Sequence, residues 1–167
     1  AIRITTPPPD DPFNVPLIDN EVRMRPADIY RLARRRTRGH VIALWQGNHA
    51  LIRTPERQIV GLELSCVERP VYGEFIEAIG FAETDMYRIN LGRARWRHIA
   101  GPPYVPDTPL RTTARDIVTD ERGRHCINVR YHGRRISLTG TVKSVLRGSS
   151  MRIVLDDHGV QATVDLP

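Results

Sequence analysis

The 167-residue chain has little lysine, little cysteine and few aromatic residues. Lys143 is the single lysine, against twenty-four arginines. The two cysteines, Cys66 and Cys126, lie far apart and form neither a disulfide framework nor a Cys-x-x-Cys pair, which favours a reducing compartment. Aromatic residues make up 6% of the chain, so a core must be built mainly from Ile, Val and Leu.

No apolar segment of the sequence is long enough to cross a membrane. The longest apolar run, residues 41–45, is far shorter than the roughly 20 residues that a spanning helix needs. The first ten residues lack the apolar stretch of a secretory signal. We therefore expect no membrane partner, and a location in the cytoplasm or in a particle assembled inside the cell.

Motifs of the common enzyme classes are also missing. The chain contains no glycine-rich phosphate loop and no Gly-x-Ser-x-Gly elbow. His125, Cys126 and His132 come nearest to a set of metal ligands, but no fourth ligand follows at a recognisable spacing. We predict no catalytic residue, no metal and no cofactor, so a non-enzymatic protein is the simpler interpretation.

Two acidic segments are interpreted as structural rather than catalytic. The first is expected to be the exposed face of a short helix that offsets nearby arginines, and consists of Glu74, Glu77, Glu83 and Asp85. The second is expected to be a turn, in which Asp and Gly are favoured for backbone reasons, and contains Asp156, Asp157 and His158.

Arginine supplies nearly all of the positive charge. The formal net charge is +6 and the pI about 10.0, which favours polyanionic partners. A guanidinium binds phosphates and carboxylates through two parallel hydrogen bonds and stacks on bases. A GC-rich genome would also raise arginine, but it should raise alanine and lower isoleucine too, and the chain has eleven Ala and fifteen Ile. Both explanations stay open.

Proline divides the chain into parts. Residues 1–26 contain six prolines and should form an extended arm, because proline removes amide donors and fixes φ. Residues 101–109 contain four prolines and should form a long loop. This loop separates an α/β part, 27–100, from an antiparallel β meander, 110–167, and we expect the two to pack as one domain. The arm is expected to lie on neighbouring protein subunits, with its own domain as the alternative surface.

The residue pattern predicts an α+β fold, mainly antiparallel sheet and barrel-like, with one N-terminal helix besides the Pro-rich arm. That helix should cover residues 27–38 and end at Gly39. A second, short helix is predicted over residues 74–81, with Phe75, Ile76 and Ile79 inward.

Strands are predicted where the apolar period changes to two. A hairpin should turn at Gly47 and Asn48, and further strands should cover residues 57–67 and 88–100. The last part alternates Val and Ile with polar residues, which predicts three or four strands joined by tight turns.

The stretch from 131 to 164 resembles the opening strands of an OB-fold. It reads RISLTGTVKSV with Gly140 at the expected bend, then MRIVLDDHG, then VQATVDL. The family pattern continues with a helix and two further strands, which do not follow here. Either strands from residues 40–70 complete the barrel, or the segment is a three-stranded antiparallel sheet. The resemblance implies a barrel face that binds oligonucleotides or a partner.

Three groups of basic residues are the candidate nucleic-acid-binding sites. The group on the predicted first helix comprises Arg31, Arg34, Arg35 and Arg38. The group on the strand over 88–100 comprises Arg93, Arg95 and Arg97, which should face away from Ala94, Trp96 and His98. The group on or between the late strands comprises Arg130, Arg134, Arg135, Lys143, Arg147 and Arg152.

These observations lead to one interpretation and two alternatives. The protein is interpreted as a non-enzymatic structural subunit of a large nucleic-acid-containing assembly, such as a viral or phage particle or a ribonucleoprotein. Its arginines would contact nucleic acid or acidic protein surfaces. The alternatives are a free-standing OB-like protein that binds single-stranded nucleic acid, and a lysine-poor enzyme or secreted effector.

Overall fold

The computed structural model describes residues 9–18, 34–84, 88–119, 128–148 and 151–166. The chain divides into two compact units, residues 1–104 and 105–167, and the boundary falls inside the proline-rich segment 101–109. That segment contains neither helix nor strand. Within the described ranges, no helix is long and apolar enough to span a bilayer.

The first unit contains a closed five-stranded β-barrel. Its strands are β1 (Arg34–Trp45), β2 (His49–Arg53), β3 (Ile59–Leu64), β4 (Phe75–Thr84) and β5 (Ile89–His98). They are hydrogen-bonded in the order β1-β2-β3-β5-β4, and the β4–β1 pair closes the barrel. Only the β3–β5 pair is parallel. The prediction of a mainly antiparallel, barrel-like fold is confirmed at this level.

Each strand of the barrel contributes a large aliphatic residue to one interior cluster. These residues are at most 2% exposed and comprise Val41, Ile52, Leu62, Ile76 and Leu91. Full burial of such a side chain contributes roughly 1.5–3 kcal/mol, so the cluster is the main source of barrel stability. No aromatic residue belongs to the buried cluster, as the composition predicted for a core of Ile, Val and Leu.

Strand β1 is long because it pairs with two partners in succession. Residues 34–40 pair with β4, and from His40 onward the strand pairs with β2. Gly39 lies at this changeover, where a Cβ would overlap the carbonyl oxygen of Arg53. Any larger residue at Gly39 would therefore push β2 away from β1.

The helix predicted over 27–38 is wrong for its described part. Arg34–Arg38 belong to β1, and residues 27–33 lie outside the described residues. Thr37 lies opposite Ala78 of β4 and is buried, while its neighbours Arg36 and Arg38 point outward. Pairing with a strand some forty residues away overrides the local helical preference of the arginine-rich segment.

The short helix predicted over 74–81 is also wrong, because this segment is β4. Ile76, Ala78 and Ala82 alternate towards the interior with the period of a strand. Ile79 lies outside that interior cluster but is also only 2% exposed. The buried residues Ile76 and Ile79 therefore have the three-residue spacing that is typical of a helix.

The other barrel predictions are confirmed. The β1–β2 hairpin forms, although its turn has three residues, with positive φ at Gln46 and Gly47. The strands predicted over 57–67 and 88–100 correspond to β3 and β5.

The second unit is built on a three-stranded antiparallel sheet. Its strands are β8 (Thr141–Arg147), β9 (Met151–Asp157) and β10 (Val160–Leu166), in the order β10-β9-β8, which confirms the predicted meander. A parallel pair, β6 (Leu110–Arg111) and β7 (Ile136–Ser137), precedes it. Of the two arrangements left open for the OB-like segment, the structure has the three-stranded sheet, and residues 40–70 belong to the barrel instead.

Short helical turns complete this unit. Helix α1 (Ala114–Ile117) begins with a capping box in which the side chain of Thr113 bonds the Asp116 amide and Asp116 bonds back. A 3-10 turn covers Val129–Tyr131. The amide of Ala114 donates to Asp157 Oδ2 at 2.8 Å and so attaches the helix to the end of β9.

Candidate functional site

The structure brings two of the predicted arginine groups together on one outer face of the barrel. Strand β4 lies between β1 and β5, so residues of these three strands form rows across the face. One row places Arg36 and Arg95 on either side of Ile79, and the next places Arg38 and Arg97 on either side of Glu77. We call this surface the arginine face, and its members are Arg34, Arg36, Arg38, Arg95 and Arg97.

Glu77 is the acidic centre of the arginine face. Its side chain is 7% exposed and accepts from Arg36 Nη1 at 3.0 Å and from Arg97 Nη2 at 2.7 Å. The Glu77 carboxylate therefore bridges β1 and β5 across β4. The Nε of Arg36 is buried without a hydrogen-bond partner among the described residues. This carboxylate was expected on an exposed helix face, but it is buried in a strand.

Residues 9–18, the described part of the predicted arm, lie against the same face. The Asp11 carboxylate accepts from Arg97 Nη1 at 3.1 Å. Arg97 also stacks over the ring of Phe13, with 4.2 Å between the guanidinium carbon and the ring centroid, and Phe13 is 9% exposed. A cation over an aromatic face is attracted by the ring quadrupole. Arg97 thus has an acidic and an aromatic partner in the arm.

Backbone hydrogen bonds tie the arm to β1. The Arg36 amide donates to Pro16 O at 2.9 Å, and the Ile18 amide donates to Arg36 O at 2.7 Å. Leu17 thereby forms a parallel bridge with Arg36. This edge of β1 is available because the pairing with β2 begins only at His40.

The pKa shifts of Asp11 and Arg97 agree with this geometry. The pKa of Asp11 is lowered, first by the hydrogen bond from the Phe13 amide and then by Arg97. The pKa of Arg97 is raised, first by its hydrogen bond to Glu77 and also by Asp11. The Asp11–Arg97 contact is therefore fully charged at neutral pH.

The remaining arginines of these two groups have other surroundings. Arg34 lies over the Phe81 ring, 5.5 Å from its centroid. Arg35 donates to the Arg34 carbonyl. Arg93 is exposed in a bulge where β5 places two residues opposite Gly80, and its φ is 49°. Arg31 lies outside the described residues. As predicted for β5, Arg95 and Arg97 are exposed while Ala94 is buried, but His98, predicted on the side of Ala94, is exposed as well.

The third predicted group belongs to the second unit. Arg152 forms a two-pronged ion pair with Asp165, at 2.6 and 3.1 Å. Lys143 lies 3.6 Å from Asp156. Arg130 lies over the Tyr131 ring at 6.0 Å. The other members of this group are Arg134, Arg135 and Arg147, all exposed.

A second surface, which sequence reasoning missed, lies on the opposite half of β1. The Trp45 and His49 rings face each other across the β1–β2 hairpin with centroids 5.4 Å apart. The Arg88 guanidinium lies 5.8 Å from the Trp45 ring centroid, and Arg88 Nε donates to Asn90 Oδ1 at 2.7 Å. We call Trp45, His49, Arg88 and Asn90 the aromatic cluster.

Gly61 makes room for this cluster on the outside of β3. It pairs with Asn90 in the parallel β3–β5 ladder. A Cβ at Gly61 would overlap the Asn90 amide oxygen and lie 2.7 Å from Arg88 Nε. The predicted two-residue turn would have paired Gln46 with His49, so the contact between Trp45 and His49 depends on the three-residue turn that the structure has. Arg88 could not have been found, because its approach depends on the non-local β3–β5 pair.

The residues weighed for catalysis serve structural contacts. Glu74 lies 3.0 Å from His98 Nδ1 and accepts from the Val71 amide. Asp156 accepts from the Gly159 amide, as expected of a turn. Across the part of the chain that the structure describes, no group of three or more His, Cys, Asp or Glu side chains could hold a metal ion. Asp85, His125 and Cys126 lie outside that part.

The chain matches no known family model, and no curated protein is significantly similar to it.

Proposed function

We propose that the barrel binds single-stranded nucleic acid, with the aromatic cluster as the contact for bases. The observation that carries the proposal is the juxtaposition of the Trp45 and His49 rings with the Arg88 guanidinium on the barrel exterior. Base stacking on aromatic side chains contributes roughly 1–3 kcal/mol per base and tolerates any sequence.

The architecture supports this proposal. Five strands in the order β1-β2-β3-β5-β4 resemble an OB-fold barrel. Such barrels bind oligonucleotides on the face of strands 2 and 3 and on the loops after strands 1 and 4. Trp45 and His49 flank the loop after β1, and Arg88 lies just before β5. The aromatic cluster therefore occupies the part of the barrel from which OB-folds contact bases.

Charge at this surface is mixed, which favours stacking over phosphate contacts as the main interaction. Glu63 lies opposite His49 in the β2–β3 ladder and is exposed. The Glu63 carboxylate would repel phosphates and so weaken a site that bound nucleic acid by charge alone. Arg88 contributes a planar cation that can stack on a base as well as pair with a phosphate.

Substitution of Trp45 tests the proposal. We expect Trp45→Ala to raise the Kd for fluorescein-labelled oligo(dT) of about 20 nucleotides by about fivefold or more, since one stacked base contributes roughly 1–3 kcal/mol. Anisotropy titrations measure this. Tyr72→Ala is the matched control, because Tyr72 is an exposed ring elsewhere on the barrel and is 51% exposed. Equal Kd values for Trp45→Ala and the unmodified protein would contradict the proposal.

A subunit of a nucleic-acid-containing assembly is the second candidate. The favouring observation is that β8 exposes Val142, Val145 and Leu146, which are 54%, 45% and 57% exposed. A second copy of the chain could cover these side chains. Light scattering after size exclusion, at low and high salt and with the 260/280 nm ratio recorded, should then find a large species that Val145→Glu disrupts. A nucleic-acid-free monomer at low salt would contradict this candidate.

A further inference from the structure

Within the described residues, the arginine face carries more positive charge than its neighbours neutralise. Glu77 and Asp11 are the carboxylates that pair with it, and both contact Arg97. Among the described residues, no carboxylate forms an ion pair with Arg34, Arg38 or Arg95. Alternate residues of a strand lie about 7 Å apart and neighbouring strands about 4.8 Å apart, so these guanidiniums form a compact positive surface.

The arm supplies Arg97 with the two kinds of partner that nucleic acid would supply. Asp11 provides an anion to Arg97 Nη1, as a phosphate oxygen would, and guanidiniums accept either. Phe13 provides a planar ring against the guanidinium, as a base would. The arm therefore presents to Arg97 the same two chemical groups that a nucleic-acid strand would present.

The contacts that hold the arm are weak enough to be exchanged. Arg97 and Asp11 are 42% and 49% exposed in their side chains, and exposed ion pairs are strongly screened by solvent and salt. Within the described residues, the backbone attachment is one bridge at Leu17. Burial of Phe13 and packing of Ile18 against the barrel core are the remaining contacts.

We propose that the arginine face is a binding site for the phosphodiester backbone of nucleic acid, and that residues 9–18 are a built-in competitor that covers it. A bound strand would displace Asp11 and Phe13 from Arg97, while Glu77 keeps Arg36 and Arg97 in place. This site lies on β1, β4 and β5 and is separate from the aromatic cluster, so it goes beyond the function proposed above.

Two neighbouring aspartates provide a matched test. Asp11→Asn removes the negative charge that pairs with Arg97, whereas Asp10→Asn removes an equal charge from the same exposed segment at a residue that does not pair with Arg97. We expect Asp11→Asn to lower the Kd for oligo(dT) by about three- to tenfold relative to Asp10→Asn at low salt. Equal Kd values for the two variants would overturn the proposal, because net charge alone would then explain the effect.

Salt dependence identifies the phosphate contacts. Phe13→Ala should also release the arm and should steepen the slope of log Kobs against log[salt] by about 0.7 per phosphate newly contacted. Adding Arg95→Ala to Phe13→Ala should return the slope towards the starting value. An unchanged slope in Phe13→Ala would overturn the proposal.

Two further measurements separate this site from others. The Asp11→Asn effect should persist in a Trp45→Ala background, because the aromatic cluster lies on the other half of β1 and at the other end of β5; loss of the effect there would overturn a separate site. Poly-glutamate is the competing polyanion. Binding of poly-glutamate by Asp11→Asn as tight as that of oligo(dT) would overturn the nucleic-acid assignment in favour of acidic protein surfaces.

Discussion

The barrel unit and the C-terminal unit are both built from strands that alternate polar and apolar residues, yet they bury those residues very differently. In the barrel, each of the five strands contributes a residue that is at most 2% exposed. Among the described residues after 104, Ala114 is the only buried hydrophobic residue. Closure of the sheet makes the difference, because the barrel encloses the inner face of every strand and a single layer of three strands encloses nothing.

The largest expected effect is on stability, and it comes from replacing one leucine by alanine in each unit. Leu91→Ala should lower the free energy of unfolding of the barrel by about 2–5 kcal/mol, because Leu91 is fully buried. Leu146→Ala should change the stability of its unit by less than about 0.5 kcal/mol, since Leu146 is 57% exposed. Urea titrations followed by tryptophan fluorescence report the barrel, because Trp45 and Trp96 both belong to it. Hydrogen exchange over 141–166 reports the other unit. A large loss in Leu146→Ala would mean that β8 is covered in solution.

A smaller effect should distinguish the ion pairs of the two units. Glu77→Gln should cost about 1–3 kcal/mol, because a charged acceptor of several hydrogen bonds is removed from a nearly buried position. Asp165→Asn should cost less than about 1 kcal/mol, because Arg152 and Asp165 are both more than half exposed. Urea titrations followed by tryptophan fluorescence measure Glu77→Gln, and hydrogen exchange over 141–166 measures Asp165→Asn. A cost for Asp165→Asn equal to that for Glu77→Gln would show that burial does not control these pairs.

The smallest effect is a difference in acid sensitivity. The pKa of Asp116 is lowered by the Thr113 hydroxyl, that of Asp157 by the Ala114 amide and that of Asp165 by Arg152, all in the second unit. A carboxyl with a lowered folded-state pKa contributes its full stabilisation above its ordinary pKa and loses it as the pH falls through the folded-state value.

Between pH 6 and pH 3, hydrogen exchange in the second unit should therefore accelerate, after correction for the intrinsic pH dependence of exchange. Asp157→Asn should accelerate less over the same range, because the substituted side chain does not titrate. Equal acceleration in Asp157→Asn and the unmodified protein would contradict this prediction.

The sequence predicted the elements that depend on neighbouring residues. The β1–β2 hairpin and the β8–β10 meander both followed from local turn signals and a period of two. Prediction from the sequence was wrong where pairing with distant strands decides the secondary structure. Arg34–Arg38 became a strand because β4 pairs with them, and residues 74–81 became a strand between β1 and β5.

The candidate sites follow the same division. The arginine groups around residues 34–38 and 93–97 were recognisable separately, but only the position of β4 between β1 and β5 makes them one surface. The contact of Trp45 with Arg88 depends on the parallel β3–β5 pair, which leaves no local trace in the sequence. Non-local strand order therefore decided both sites.

The continuity of β1 has a consequence for how the two surfaces can change. Because successive residues of a strand point to opposite sides, a one-residue deletion before Gly39 would turn the arginines of that half inward and leave Trp45 in place. A one-residue deletion after His40 would do the reverse. The arginines stand at even positions and Trp45 at an odd one, because the register shifts between Val41 and Ala43. Each half of β1 thus keeps its own register, and sequence drift can erase one surface while the other survives.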